Sequence, residues 1–377
     1  MNTPVNIFQI IILSIFALCT LVQLFYYLYY YLAVAVYKAP EPTVKNFPVS
    51  VIICAKDEAG NLKNFLPGIL KQNYPAGFEV IVVNDCSEDD TAEVLEEFQK
   101  QYNNLKVSTI IKDLKFTHSK KLAQVIGIKA SSNEILLFTD ADCQPESDMW
   151  LSDMTDHFDE NVDFVLGYGG YLNEDGLLNK YIRYDSMFIA MQYLGMAIRR
   201  KPYMGVGRNL AYRKSLFFKT RGFSSHSHLM SGDDDLFVNS NANEKNTIVE
   251  FRPKAHTRSV PAIELQNWIK QKKRHLTTGK YYKLSDKIRL FIEPVTRTIF
   301  HLCLIYILCT LLFWPYIIGI FVLRLVTQSI VFYLVSKKLN EKQLLLYSII
   351  FDIFSPLIYA TLYLSNLRNR NRGATWR

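Results

Sequence analysis

Residues 135–145 read I-L-L-F-T-D-A-D-C-Q-P. An apolar run the length of a buried strand stops at Asp140 and Asp142, with one small residue between them. In an open α/β sheet, ligands bind in the crevice outside the carboxyl ends of the strands. Two carboxylates there, close enough to share one ion, suit a hard divalent cation. Mg2+ takes oxygen ligands and is usually held by one or two protein carboxylates together with substrate phosphates. An acidic turn closing an ordinary strand would carry the same letters, so the neighbouring stretches must decide.

Upstream, strand-like and helix-like segments alternate. Residues 49–55 read as a strand and 61–72 as an amphipathic helix; 79–84 is a second strand. A helix over 89–101 comes next, with Thr91 and acidic residues in its first turn, where the helix dipole favours negative charge. Residues 106–111 form a third strand, 120–130 a helix, and 134–139 the fourth strand, which ends in the aspartate pair. Repetition at this spacing predicts an α/β domain with a mostly parallel sheet and helices on both faces. Beyond Asp142 the alternation loosens. A strand over 164–171, a long helix over 177–198, a glycine-opened strand over 205–212 and a short strand over 247–253 are expected, with an acidic, aperiodic loop at 224–235.

The chain has 377 residues, enough for two soluble domains, but its apolar residues gather in blocks at the two ends. Residues 7–36 are almost uncharged and long enough to cross a bilayer as a helix. An uncharged start and an overlong apolar run argue for an uncleaved anchor rather than a signal peptide. Its aromatic end, 25–31, resembles an interfacial belt, and by the positive-inside rule Lys38 and the residues after it lie in the cytoplasm. The proline-containing stretch 39–48 is a linker. Residues 261–289 carry eight lysines and arginines with Trp268, Tyr281 and Tyr282 interleaved, the composition of a membrane-surface segment. Residues 299–335 predict two helices turning near Trp314 and Pro315, and 344–364 a further crossing. Asp352 inside that crossing needs a partner, for which Arg324 is the candidate. The tail, with Arg368, Arg370, Arg372 and Arg377, favours the cytoplasmic side, which conflicts with three crossings that start from there. The division expected is an anchor (1–38), a linker (39–48), a cytoplasmic domain (49–260), basic interfacial helices (261–293), membrane helices (294–366) and a basic tail (367–377). Such a chain is an integral protein of the cell membrane.

The net charge of +8 points to an acidic partner such as a membrane surface or a phosphorylated substrate. Without an aromatic-basic RNA signature or zinc-finger spacing, nucleic acid is not an expected partner. The six cysteines form no C-x-x-C pair and read as reduced thiols.

Four stretches place polar residues where strands end: Ala55-Lys56-Asp57-Glu58, Asn84-Asp85-Cys86-Ser87, Asp140-Ala141-Asp142 and Ser231-Gly232-Asp233-Asp234-Asp235. The first three could give one sheet edge a base pocket, a ribose contact and a cation for a pyrophosphate. The fourth could give a carboxylate for chemistry. Neither a G-x-G-x-x-G after the first strand nor a G-K-[ST] is present, so dinucleotide and P-loop binding are unsupported.

With these stretches in this order, the chain resembles a membrane-bound family 2 glycosyltransferase, the broad group containing cellulose, chitin and hyaluronan synthases. The resemblance rests on V-S-V-I-I-C-A-K-D-E, V-I-V-V-N-D-C-S-E-D-D-T, the stretch from Ser119 through D-A-D, S-G-D-D-D-L-F and W-I-K-Q-K-K-R-H, and covers roughly residues 49–290. It implies a GT-A-like nucleotide-sugar-binding domain flanked by transmembrane helices. Ala55, Glu58 and Asp85 would contact a uridine-type nucleoside, and Lys120 or Lys121 would help hold the donor. Asp140 and Asp142 would bind Mg2+ or Mn2+, with Asp142 the surer ligand. Asp234 would be the catalytic base, with Asp233 one residue away in register. Gln271 and Arg274 fall on a Q-x-x-R-W motif whose last residue here is His275. The activity implied is inverting transfer from a nucleotide-sugar, UDP-linked by expectation, to a lipid-linked saccharide or envelope glycan, with membrane lipids as further partners. Processive polysaccharide synthesis is the alternative within the class, weakened by the missing tryptophan, whose indole would stack on a growing chain. A catalytically dead membrane scaffold is the alternative outside it.

Overall fold

In the computed structural model, residues 6–41, 47–111, 119–229 and 231–368 are described. The tail's Arg370, Arg372 and Arg377 and linker residues 42–46 lie outside them. The strands are β1 (Val49–Ala55), β2 (Phe78–Asp85), β3 (Leu105–Ile110), β4 (Ile135–Asp140), β5 (Cys143–Pro145), β6 (Phe164–Gly167), β7 (Gly169–Tyr171), β8 (Leu210–Arg213), β9 (Thr247–Glu250) and β10 (Thr257–Ser259). Seven of them form a sheet in the order β3-β2-β1-β4-β8-β6-β9. All neighbours pair in parallel except β8, which runs antiparallel to both β4 and β6. The mostly parallel α/β domain expected from the sequence is therefore present.

Successive strand residues point to opposite faces, and in this sheet both faces are dry. Val49, Val51 and Ile53 join a core with Leu62, Leu66, Val94 and Trp150; Ile52 and Cys54 join another with Ala123 and Ile128. The second core continues without a break into Tyr27, Tyr31, Phe332 and Phe351 from the apolar end blocks. The sheet and the membrane helices thus share one interior.

Three expectations shift, the first being the strand expected over 205–212, which begins only at Leu210 and leaves both glycines outside it. The strand expected over 164–171 is cut at Tyr168, so that β6 stays in the main sheet while β7 joins a second, three-stranded sheet ordered β5-β10-β7. One helix runs Leu284–Cys309, so the boundary expected at 293/294 falls inside it, next to Pro294.

Among the described residues, four helices are long and apolar enough to cross a membrane: Ile7–Val36, Leu284–Cys309, Trp314–Lys338 and Leu345–Asn366. The first packs antiparallel on the second, with Phe16 stacked on Phe300 at 4.9 Å and Tyr26 bonded to the Arg289 carbonyl. At their centre lies a buried network of matched charge. Asp352 binds Arg297 and Arg324 at 2.9 Å each, and Arg297 also binds Glu293 at 3.2 Å. Arg324 is the partner the sequence suggested, and Arg297 adds a second. Charged groups in an apolar medium persist only when paired in this way.

The last helix, Leu345–Arg368, touches the α/β domain at its start and the basic helix Leu265–His275 at its end. Lys180 Nζ donates to Tyr347 Oη at 3.0 Å, and Asn366 Nδ2 donates to the Lys273 carbonyl at 2.8 Å. Ser348, Phe351, Asp352, Ser355 and Leu362 are buried on one face, while Leu346, Ile350, Phe354, Leu357 and Leu364 are exposed on the other.

Candidate active site

The loops after β1 and β2 are tied to each other. Asp57 N donates to Ser87 Oγ (3.0 Å), Glu88 N to Asp57 Oδ1 (2.7 Å) and Glu58 N to Thr91 Oγ1 (3.0 Å). Asp57 and Cys86 both take left-handed backbone, at φ 54° and 55°, which side chains tolerate poorly and which recurs at functional turns. Ala55, Glu58 and Asp85 sit along this tied edge. Glu58 Oε2 accepts from Asn61 Nδ2 at 2.5 Å, and burial, with Asp142, Asp140 and Asp89 nearby, raises its carboxyl to about 7.

Asp140 closes β4. Its Oδ1 accepts from Lys120 Nζ at 2.6 Å, from the first turn of the helix Lys120–Ala130. Burial opposes ionisation of Asp140, but Lys120, Arg208 and Arg274 outweigh it and lower its pKa. Asp142 is raised instead, by burial and by Asp140, although Ser259 Oγ donates to its Oδ2 at 2.7 Å. Ligand atoms of Asp140, Asp142 and Cys143 lie within 4.8 Å of one another. Burial and the adjacent aspartates push the Cys143 thiol well up, and the two carboxylates supply the oxygen donors of the group. That donor set fits a hard divalent cation.

The three consecutive aspartates have separate surroundings. Gly232, at φ +102°, turns the chain into them. Asp233 accepts from Gln124 Nε2 at 3.0 Å and lies 3.9 Å from Lys120 Nζ. Asp235 is locked, its Oδ2 accepting from Thr278 Oγ1 (2.5 Å) and Tyr282 Oη (2.7 Å). Asp234 caps the helix Asp235–Asn241, and among the described residues its oxygens accept only from the backbone amides of Gly207 (2.7 Å) and Asp235 (2.8 Å). Burial, then Asp233 and Asp235, push its carboxyl up to about 7, against the opposing pull of Lys120.

A cavity of about 430 Å³ joins these groups. Lys120, Asp140, Asp233, Asp234, Asp235, Gln271 and Arg274 line it. Ala55, Glu58, Asp85 and Asp142 are not in its wall. Lys121 points elsewhere: its ammonium caps the carbonyls of His226 (2.6 Å) and Leu229 (3.0 Å), so Lys120 is the lysine that reaches the carboxylates. Lys272 forms a buried ion pair with Asp185 of the helix Leu177–Ile198. His275, exposed, lines the cavity beside Lys272 and Arg274. Arg208 and Ser259 were not foreseen. They come from the turn before β8 and from the three-residue β10, segments too short to carry a periodic signal.

The fold and the carboxylate-lined cleft define a glycosyltransferase of GT-A architecture mounted on membrane helices. A solved structure with the same fold is the mannosyltransferase PcManGT from Pyrobaculum calidifontis in complex with GDP-Man and Mn2+, at TM-score 0.56 and 15% identity over 91% of this chain and 99% of that one. Glycosyltransferase AglE of Haloferax volcanii is 33% identical over 195 residues, 49% of this chain and 58% of that protein, so the match spans little more than half of the relative. The probable glycosyltransferase YdaM of Bacillus subtilis is 26% identical over 328 residues, 85% of this chain and 75% of that protein. The profile described as Glycosyl transferase family 2 matches residues 50–220, and that described as Glycosyl transferase family group 2 matches residues 136–365. The chain belongs to this family of glycosyltransferases.

Proposed function

We propose that the protein transfers a sugar, with inversion, from a nucleoside diphosphate donor to an acceptor borne by the membrane, the expected donor being UDP-linked. One observation carries the acceptor reading. The cavity that holds Asp140 and Asp234 continues to Leu290, Glu293 and Pro294 on a membrane helix and to Pro356 and Tyr359 on the last helix. An acceptor head group on a lipid carrier, a lipid-linked saccharide by expectation, would reach the carboxylates without leaving the bilayer surface. The α/β domain is assigned to the cytoplasm, where nucleotide-sugars are made.

In this reading Ala55, Glu58 and Asp85 hold the nucleoside at the tied loop edge, and Lys120, Gln271 and Arg274 surround the diphosphate. Asp140 and Asp142 would hold the divalent cation. When bound there, Mg2+ or Mn2+ supplies Lewis-acid neutralisation of charge on a departing diphosphate. Asp234 takes the proton of the acceptor hydroxyl as its oxygen bonds to the anomeric carbon. The bond from that carbon to the diphosphate oxygen breaks on the opposite face, and the nucleoside diphosphate leaves with the electron pair.

The test is a panel of labelled uridine and guanosine diphosphate sugars given to membranes carrying the full chain, with and without chelator. Transfer to lipid-extractable product is expected, lost with EDTA and in Asp142→Ala, and nearly lost in Asp142→Asn. Turnover that survives both chelation and Asp142→Ala would refute the reading.

A further inference from the structure

Arg208 puts into the cavity wall a guanidinium that the sequence did not single out. Its backbone is held fast on both sides: Gly207 N donates to Asp234, and the Asn209 side chain donates to the carbonyls of Tyr168 (2.9 Å) and Ala255 (2.7 Å). Its own carbonyl accepts from Thr257 Oγ1 at 3.0 Å. The guanidinium lies over the Tyr171 ring, 4.3 Å from the centroid, so a π face supports it from one side and its N–H edge stays free. Among the described residues no hydrogen-bond partner meets its buried Nη1, and no carboxylate comes within ion-pair distance.

Three other cations on the same wall are engaged, while Arg274, like Arg208, has no ion pair among the described residues. Lys120 is bound to Asp140, Lys272 to Asp185, and Arg297 to Glu293 and Asp352. A half-buried guanidinium with a buried, unpaired nitrogen is costly, whereas planar guanidinium donors match phosphate oxygens in pairs. We infer that Arg208 is a phosphate-holding residue of this cavity, binding either the donor's diphosphate or a phosphate in the head group of the membrane-borne acceptor.

This deepens the transfer reading and rests on it. The experiment uses the full chain in detergent or vesicles with Mn2+. Binding of UDP, UMP, GDP and GMP, and of phosphatidic acid in phosphatidylcholine vesicles, is compared for wild type, Arg208→Gln and Arg208→Lys. Losing charge-assisted bonds of this kind weakens affinity by about 10–100-fold. If the phosphate is the donor's, Arg208→Gln loses that factor for the diphosphates and little for the monophosphates, and Arg208→Lys recovers part of it. If it is the lipid's, the loss falls on phosphatidic acid instead. Should Arg208→Gln fail to fold, the wild type decides: bound UDP or phosphatidic acid must protect Arg208 from phenylglyoxal, mapped by mass spectrometry. A role limited to balancing Asp140 and Asp142 predicts tighter Mn2+ binding in Arg208→Gln with unchanged phosphate affinities and no protection, and that result overturns the inference. Wild type that binds no nucleoside diphosphate at all counts against the transfer reading itself, a separate outcome.

Discussion

Asp234 differs from its two neighbours in how its oxygens are engaged. Asp235 commits one oxygen to a threonine and a tyrosine hydroxyl, and Asp233 is held by Gln124 beside Lys120. Asp234 keeps lone pairs facing the cavity and a carboxyl raised to about 7 by burial and its acidic neighbours. A base matched to neutral pH is the most effective kind. Asp234→Asn should therefore lower transfer by about 10²–10⁴-fold while nucleotide binding survives. Wild-type kcat/KM should rise as pH passes through about 7, and the variant's residual rate should lack that limb. Stability has the opposite sign. With its folded pKa above the usual carboxylate value, Asp234 contributes most in acid, and that contribution fades as pH rises through about 7. In metal-free buffer the stability of Asp234→Asn relative to wild type should grow from pH 4 to pH 8, read by thermal unfolding. A flat difference would mean the carboxyl is not raised. D-A-D and D-D-D could be read in the sequence because they sit at strand and helix ends with their neighbours intact. Ser259 and Arg208 could not, since the three-residue β10 carries Ser259 to Asp142 and a short turn before β8 carries Arg208 to the cavity.

The strand–helix alternation through β4 was legible for a simple reason: β1, β2 and β4 are buried in the sheet, only the edge strand β3 being half open, and each helix has one apolar stripe. Past Asp142 the signal failed where the chain changes sheets at Tyr168 and where the three-residue strands β5 and β10 form. The basic helix Leu265–His275 also read as a membrane-surface segment, yet Trp268 and Lys272 face inward. Lys272 pairs with Asp185, and Tyr359 Oη donates to the same carboxylate at 2.6 Å. Three elements, the motif helix, the long helix Leu177–Ile198 and the last helix, thus meet on one aspartate beside the cavity. Removing one partner of a buried pair costs about 3–5 kcal/mol, whereas losing a single hydroxyl bond costs about 1 kcal/mol or somewhat more to a charged acceptor. Asp185→Ala should unfold at much lower denaturant than Tyr359→Phe, and Lys272→Met with Asp185→Leu together should regain most of the loss. If the double variant is no better than Asp185→Ala alone, the pair is not what holds these helices together.

The tail's arginines and the count of crossings contradict each other only if the last helix spans the bilayer. Twenty-four residues at 1.5 Å each make a helix of about 36 Å, long enough to cross. Yet its first turn is tied to Lys180 of the α/β domain and its end to Lys273 of the basic helix Leu265–His275, and Pro356 and Tyr359 between them line the cavity. With both ties kept in the bilayer, the last helix is expected to lie along the surface rather than across it. Its exposed face, Leu346, Ile350, Phe354, Leu357 and Leu364, is apolar, as an interfacial helix requires. On that expectation three helices cross and the last helix ends on the domain's side, the side favoured by the arginine-rich tail. In a background without the six native cysteines, Ala374→Cys in the tail and Glu244→Cys on the domain should react with an impermeant maleimide from the same side. Thr310→Cys, in the turn between the two helices that do cross, should react only from the other. Labelling of Ala374→Cys together with Thr310→Cys would mean that the last helix spans the membrane after all and that its contacts with Lys180 and Lys273 do not form in the bilayer.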